Sequence, residues 1–157
     1  DTFKVYLNNG VLANKRLYEI HYQGVVDIIA LILNSTLFFF YLELISSSSL
    51  GEGLLDKTVF EFESTYIINP NLLLSFTDVI TRLEGFKYRK ILSIFEELQV
   101  DYLKCNFKDA NPLPDRKALD DVIFSVLGLS DSEIKAVYAG LLELTSNRLK
   151  KANSLKT

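Results

Sequence analysis

Ser46–Ser64 reads SSSSLGEGLLDKTVFEFES, and how this stretch folds decides how the whole chain is read. Four serines run into Gly51-Glu52-Gly53, after which apolar and polar residues alternate. Leu54, Asp56, Thr58, Phe60 and Phe62 fall on one side of a period of two, and Leu55, Lys57, Val59 and Glu61 on the other. That period predicts a β-strand over 54–62. The serines alone suit a linker, but the glycine step points to a bend with a defined shape.

Working toward the N-terminus, TLFFFYLELI (Thr36–Ile45) is a helix nearly apolar all round, a pattern that suits burial against a sheet. Phe38, Tyr41, Leu42 and Ile45 make its main face, and Asn34-Ser35 offers its cap. Before it, Val25, Ile28, Ile29 and Ile32 recur at helical spacing. The first residues alternate: Phe3, Val5 and Leu7 against Lys4, Tyr6 and Asn8, then the turn signal Asn9-Gly10, then a second strand from Arg16 to Tyr22. A last short strand, YIINP, ends at Pro70.

Beyond Asn71 only helical patterns occur. NLLLSFTDVITRLEG ends at Gly85, and KYRKILSIFEELQVDYLK places Ile91, Ile94, Phe95 and Leu98 on one stripe. Pro114 opens and Gly128 closes the next helix. Ser130-x-x-Glu133 is a capping box for the last, whose apolar face is Ile134, Val137, Tyr138, Leu141 and Leu144. The fold class expected is therefore α+β: a small mixed sheet with a packed aromatic helix, followed by an all-helical C-terminal part. The boundary falls at Asn69-Pro70, giving an α/β subdomain over 1–70 and a helical one over 71–157.

Composition narrows the function. The 157 residues are 48% hydrophobic, with one cysteine, one histidine and no methionine. Opening at Asp1 without methionine, the chain reads as part of a longer one. The lone Cys105 cannot form an internal disulfide and suits a reducing compartment, hence the cytoplasm. Gly24–Ile45 is interrupted by Asp27, Asn34, Ser35, Thr36 and Glu43, so a buried segment rather than a membrane span is expected. Net charge is −3, and residues 1–78 hold four Lys/Arg against nine Asp/Glu, so no strongly basic surface is available.

Catalytic patterns are wanting. His21 has no second histidine to complete a metal site, no phosphate-cradling glycine loop occurs, and Asp115, Asp120 and Asp121 fit a helix's first turn and outer face. What remains is recognition. Asn9, Asn14, Lys15, Arg16 and Tyr18 on the first hairpin, with Ser48, Ser49 and Glu52 on the serine loop, are the residue types that read nucleic acids. Asn pairs with adenine, Arg with guanine, Glu accepts from cytosine, and Ser serves phosphates or bases.

The segment LNSTLFFFYLELISSSSLGEGLLDKTVFEFES followed by INPNLL resembles the C-terminal target-recognition region of adenine-specific (N6) DNA methyltransferases of restriction-modification systems. The LNS helix start and the LGEG step are the recurring marks. VYLNNGVLANKRLYEI resembles the opening hairpin, with Leu17 where an aromatic residue is common, and LPDRKALDDVIFSVLGLS resembles the helical tail. The resemblance implies a specificity domain that presents polar loops to double-stranded DNA, with Gly51 and Gly53 bending the serine loop around Glu52. It implies no catalytic residue or cofactor within this chain. An upstream methyltransferase domain would hold the S-adenosylmethionine. The alternative is a helical assembly module whose last helix pairs with a partner subunit and touches no DNA.

Overall fold

The computed structural model describes residues 4–8, 10, 17–46, 55, 58–76, 84–103 and 106–154. Among the described residues every regular element is helical. We number the α-helices α1 (Val26–Leu33), α2 (Thr36–Ile45), α3 (Val59–Glu63), α4 (Glu84–Tyr88), α5 (Ile94–Glu97), α6 (Pro114–Leu127) and α7 (Asp131–Ser154), with 3-10 segments at Pro70–Phe76 and Phe107–Asp109.

Local signals account for most boundaries. Ser35 caps α2, its Oγ accepting from Phe38 N–H at 3.2 Å while donating to the Ile32 carbonyl at 2.7 Å. Pro114 sits in the first turn of α6, where its missing N–H leaves nothing unpaired. Gly128 ends α6 in the left-handed region at φ 66°, with Leu129 N–H returning to the Phe124 carbonyl at 3.0 Å. At the start of α7, Glu133 accepts from both the N–H and the hydroxyl of Ser130, at 2.8 and 2.6 Å.

The aromatic helix α2 lies along α7. Phe38, Phe39 and Leu42 of α2 meet Val137, Tyr138, Leu141 and Leu142 of α7, joined by Ile29 and Leu33 of α1, Ile94 and Phe95 of α5, and Phe124 of α6. Phe124 meets Tyr138 edge to face at 5.7 Å, the favoured arrangement for two aromatic quadrupoles. The approach of α2 to α7 uses Gly140: a Cβ there would lie 2.7 Å from Cε2 of Phe40.

The expected small mixed sheet is absent among the described residues, and the α+β class is corrected to helical. Three of the four expected strands show a physical reason, and the described part of the fourth, residues 17–22, lies in no regular element. Within the alternating stretch 54–62, the T-x-x-E pattern beginning at Thr58 outweighs the period of two. Thr58 Oγ accepts from Glu61 N–H, and Glu61 accepts from Thr58 N–H at 2.8 Å, so a capping box starts α3 where a strand was expected. At the first strand, the Asn34 side chain substitutes for a neighbouring strand, accepting from Val5 N–H at 3.2 Å and donating to the Val5 carbonyl at 3.0 Å. At YIINP, Asn69 Oδ1 accepts from Asn71 N–H at 3.0 Å and turns the chain into the 3-10 segment. The aromatic helix is thus sandwiched between helices, not against a sheet. KYRKILSIFEELQVDYLK also breaks: Ser93 caps α5, and Gln99 at φ 51° ends it.

Among the described residues no single helix is long and apolar enough to cross a membrane. The bent pair α1–α2, turned by 59°, has the length, but it buries Ile28, Ile32, Phe38 and Leu42 inside the protein.

Candidate functional site

Of the expected DNA-facing residues, Asn9, Asn14, Lys15, Arg16, Ser48, Ser49, Gly51, Glu52 and Gly53 lie outside the described residues. Tyr18 is described. It is 51% exposed, and its ring stacks on Phe62 of α3 with centroids 6.1 Å apart. What the structure does define is the helix that precedes 47–53 in sequence, because α2 ends at Ile45 and Ser46 is the last described residue before them.

Helix α2 is held near both ends by carboxylates. At its start, Asp120 of α6 accepts from Thr36 N–H at 2.9 Å and from the Thr36 hydroxyl at 2.6 Å, with Tyr138 O–H donating at 3.3 Å. A carboxylate from another helix therefore satisfies an amide at the α2 N-terminus, where helix N–H groups lack partners. Asp120 is wholly buried, and burial pushes its carboxyl up to about 6 against the opposing pull of Arg116 and the Thr36 bonds. The same burial, with Asp120 beside it, raises the Tyr138 phenol. Near the other end of α2, Glu43 accepts from Arg148 of α7 through both carboxylate oxygens, at 3.0 and 2.6 Å, and from the Thr145 hydroxyl at 3.1 Å.

A second buried network stands behind Asn34. Arg116, fully enclosed, donates through Nη1 to the Asn34 carbonyl and through Nε to Glu97 at 3.1 Å. Glu97 also accepts two 2.7 Å bonds from Arg89 and one of 2.9 Å from Leu92 N–H. Burial alone would push the Glu97 carboxyl up. The Arg89 bonds and the charge of Arg116 outweigh that and hold it below the usual range. Arg89 engages Glu97, Asp115 and the Lys90 carbonyl, so its donor fork is fully used; the bonds to Glu97 raise its pKa. Phe86 lies 4.8 Å from both guanidinium carbons, and Phe39 5.5 Å from that of Arg116.

These contacts decide what the basic and acidic residues can do. Arg89 is committed to carboxylates and has no donor left for a phosphate. Arg148, at the basic end of α7, is committed to Glu43. Asp121 sits outside as expected, paired with Lys117 at 2.5 Å, whereas Asp120, expected on the outer face, is inside. The signal for the buried pair was the stripe Arg116, Leu119, Asp120, Ile123 and Phe124 at helical spacing, which puts two charged residues on the apolar face of α6. Among the described residues no group of three or more His, Cys, Asp or Glu side chains could hold a metal ion.

No family model, curated protein or solved structure matches the chain.

Proposed function

We propose that this chain is the sequence-recognition part of an adenine-specific DNA methyltransferase of a restriction-modification system, with double-stranded DNA as its partner. In this reading the helical core is a rigid mount for polar DNA-facing segments and carries no catalytic residue. The observation that supports it is the meeting of two stretches on which the resemblance rests. Arg116 and Asp120 of LPDRKALDD bind Asn34 and Thr36 of LNST across more than eighty positions of sequence. The two stretches thus act together to fix the start of α2. In this reading, Ser48, Ser49, Gly51, Glu52 and Gly53 follow in sequence on a helix fixed at its start by Asp120 and again at Glu43. Orientation of that kind is what base readout needs, since a misplaced donor loses most of its discrimination.

Asn9, Asn14, Lys15, Arg16 and Tyr18 would supply the remaining contacts. S-adenosylmethionine and the transfer chemistry belong, in this proposal, to a methyltransferase domain upstream in the same polypeptide, acting in the cytoplasm. The rival reading, α7 as an assembly helix, requires a free apolar face, but Val137, Tyr138, Leu141 and Leu142 are buried against α2.

The test is to map N6-methyladenine in the DNA of cells expressing the natural gene, with and without substitutions at Glu52 and Arg16. The proposal expects the methylated sequence to change or its methylation to fall. Unchanged methylation at the same sequence contradicts it.

A further inference from the structure

A groove of about 770 Å³ opens on one flank, between residues 17–22 and α3. Its floor is apolar: Ile29 and Leu33 of α1, both buried, with Ile67 beside them. One wall is a packed aromatic pair, because Tyr18 stacks on Phe62 with centroids 6.1 Å apart. Tyr22 adds a third ring. A Cβ at Gly24 would lie 2.5 Å from Cε1 of Tyr22, so the ring rests directly on the glycine backbone. The charge of this lining has one sign. Among the described residues it holds Glu19, Glu63 and His21, and no lysine or arginine. Glu63 is exposed, and the Glu19 side chain is 46% exposed, so both carboxylates stand at the rim in reach of water. Among the described residues neither is engaged by a lysine or arginine; Glu19 meets His21 at 3.8 Å.

We propose that this groove is a binding site for an amphiphilic organic cation, a small molecule with an apolar body and one quaternary or protonated amine. Each part of such a molecule has its counterpart. Ile29, Leu33 and Ile67 receive the apolar body, as the floor of a ligand pocket does. The aromatic rings attract the cation through their quadrupoles, and Glu19 and Glu63 add two negative charges at the mouth. The same carboxylates repel an anion and give a neutral ligand nothing. The His21 side chain is 90% exposed, so a ligand amine can take its place at Glu19 without opening the fold. A bare metal ion does not suit the groove, since no group of three or more metal-binding side chains exists among the described residues.

The test uses the full chain, labelled with nitrogen-15, and is independent of the DNA reading. Three probes share one phenylbutyl body: the trimethylammonium cation, the neutral alcohol and the sulfonate anion. For a cation of about fourteen non-hydrogen atoms the dissociation constant should be on the order of millimolar. Amide shifts on titration should gather at Tyr18–Tyr22, Ile29, Leu33 and Phe62–Ile67. The cation should bind roughly tenfold tighter than the alcohol, and the sulfonate weakest of all. Glu19→Gln and Glu63→Gln should each lower the cation's affinity about threefold and leave the alcohol's unchanged, a difference that damage to the fold would not produce. Gly24→Ala, which pushes the Tyr22 ring aside, should weaken the cation about threefold with both carboxylates intact. Equal binding of the three probes would mean an apolar surface without charge preference and overturns the proposal. So do shifts that fall elsewhere, no shifts by about 10 mM cation, or shifts at the groove on concentrating the protein alone, which would mean that a second copy covers it.

Discussion

Asp120→Asn should remove one pH-dependent loss of stability from the protein. The carboxyl is wholly buried, and its pKa stands at about 6 against an ordinary 3.8. A raised folded-state value means that the native protein binds the proton more tightly than the unfolded chain. Stability from this group is therefore fully present below about pH 4 and is lost as pH rises through about 6. At about 1.4 kcal/mol per pH unit, the gap of roughly two units corresponds to about 3 kcal/mol. An asparagine keeps the geometry: its Oδ1 can accept from Thr36 N–H, and its Nδ2 can donate to the Thr36 or Tyr138 oxygen, while no charge is left to bury. Urea unfolding followed by far-ultraviolet circular dichroism, at matched pH, gives the difference between the two proteins and cancels the other carboxylates. Relative to the native protein, Asp120→Asn should gain about 3 kcal/mol between about pH 4 and about pH 7. A difference that stays flat across that window would mean that water reaches Asp120, and the account of the α2 mount would be wrong.

Three further outcomes follow from the same networks. Glu97→Ala should destabilise the fold by about 3–5 kcal/mol in urea titrations, because Arg116 is left buried without its carboxylate, whereas Glu97→Leu with Arg116→Met should recover much of the loss. Glu43→Gln and Arg148→Gln should couple by more than about 1 kcal/mol in a double-mutant cycle; additive effects would place the pair in solvent. The isolated chain, with its acidic first half, should bind duplex DNA weakly at best, and tight sub-micromolar binding in a low-salt gel shift would contradict this.

What the sequence reveals and what it hides divide along physical lines. The α1–α2 break, the Ser35 cap, Pro114 at the start of α6 and Gly128 in the left-handed region are all legible, because each is set within one turn of chain. The alternation over 54–62 misleads because it is only a weak period of two beside the specific T-x-x-E signal at Thr58. The first strand misleads for another reason. Val5 finds its partner in the side chain of Asn34, twenty-nine residues on, which no local pattern announces. The charged residues inside α6 are intermediate. Their spacing beside Leu119 and Ile123 is visible, but only the positions of Thr36 and Glu97 explain why charges belong there.

The site shows the same division. The residue types suited to reading DNA are visible in the sequence, while the side chains that fix the two ends of α2 come from α6 and α7, more than eighty residues away.

The most direct measurement is sequence mapping of N6-methyladenine in cells carrying the natural gene, comparing the native loop with one in which Ser48, Ser49 and Glu52 are replaced by alanine. The account predicts that the methylated target is lost or altered while the Asp120-dependent stability profile of the chain is unchanged. Retention of the same target at the same occupancy would remove the loop from DNA recognition.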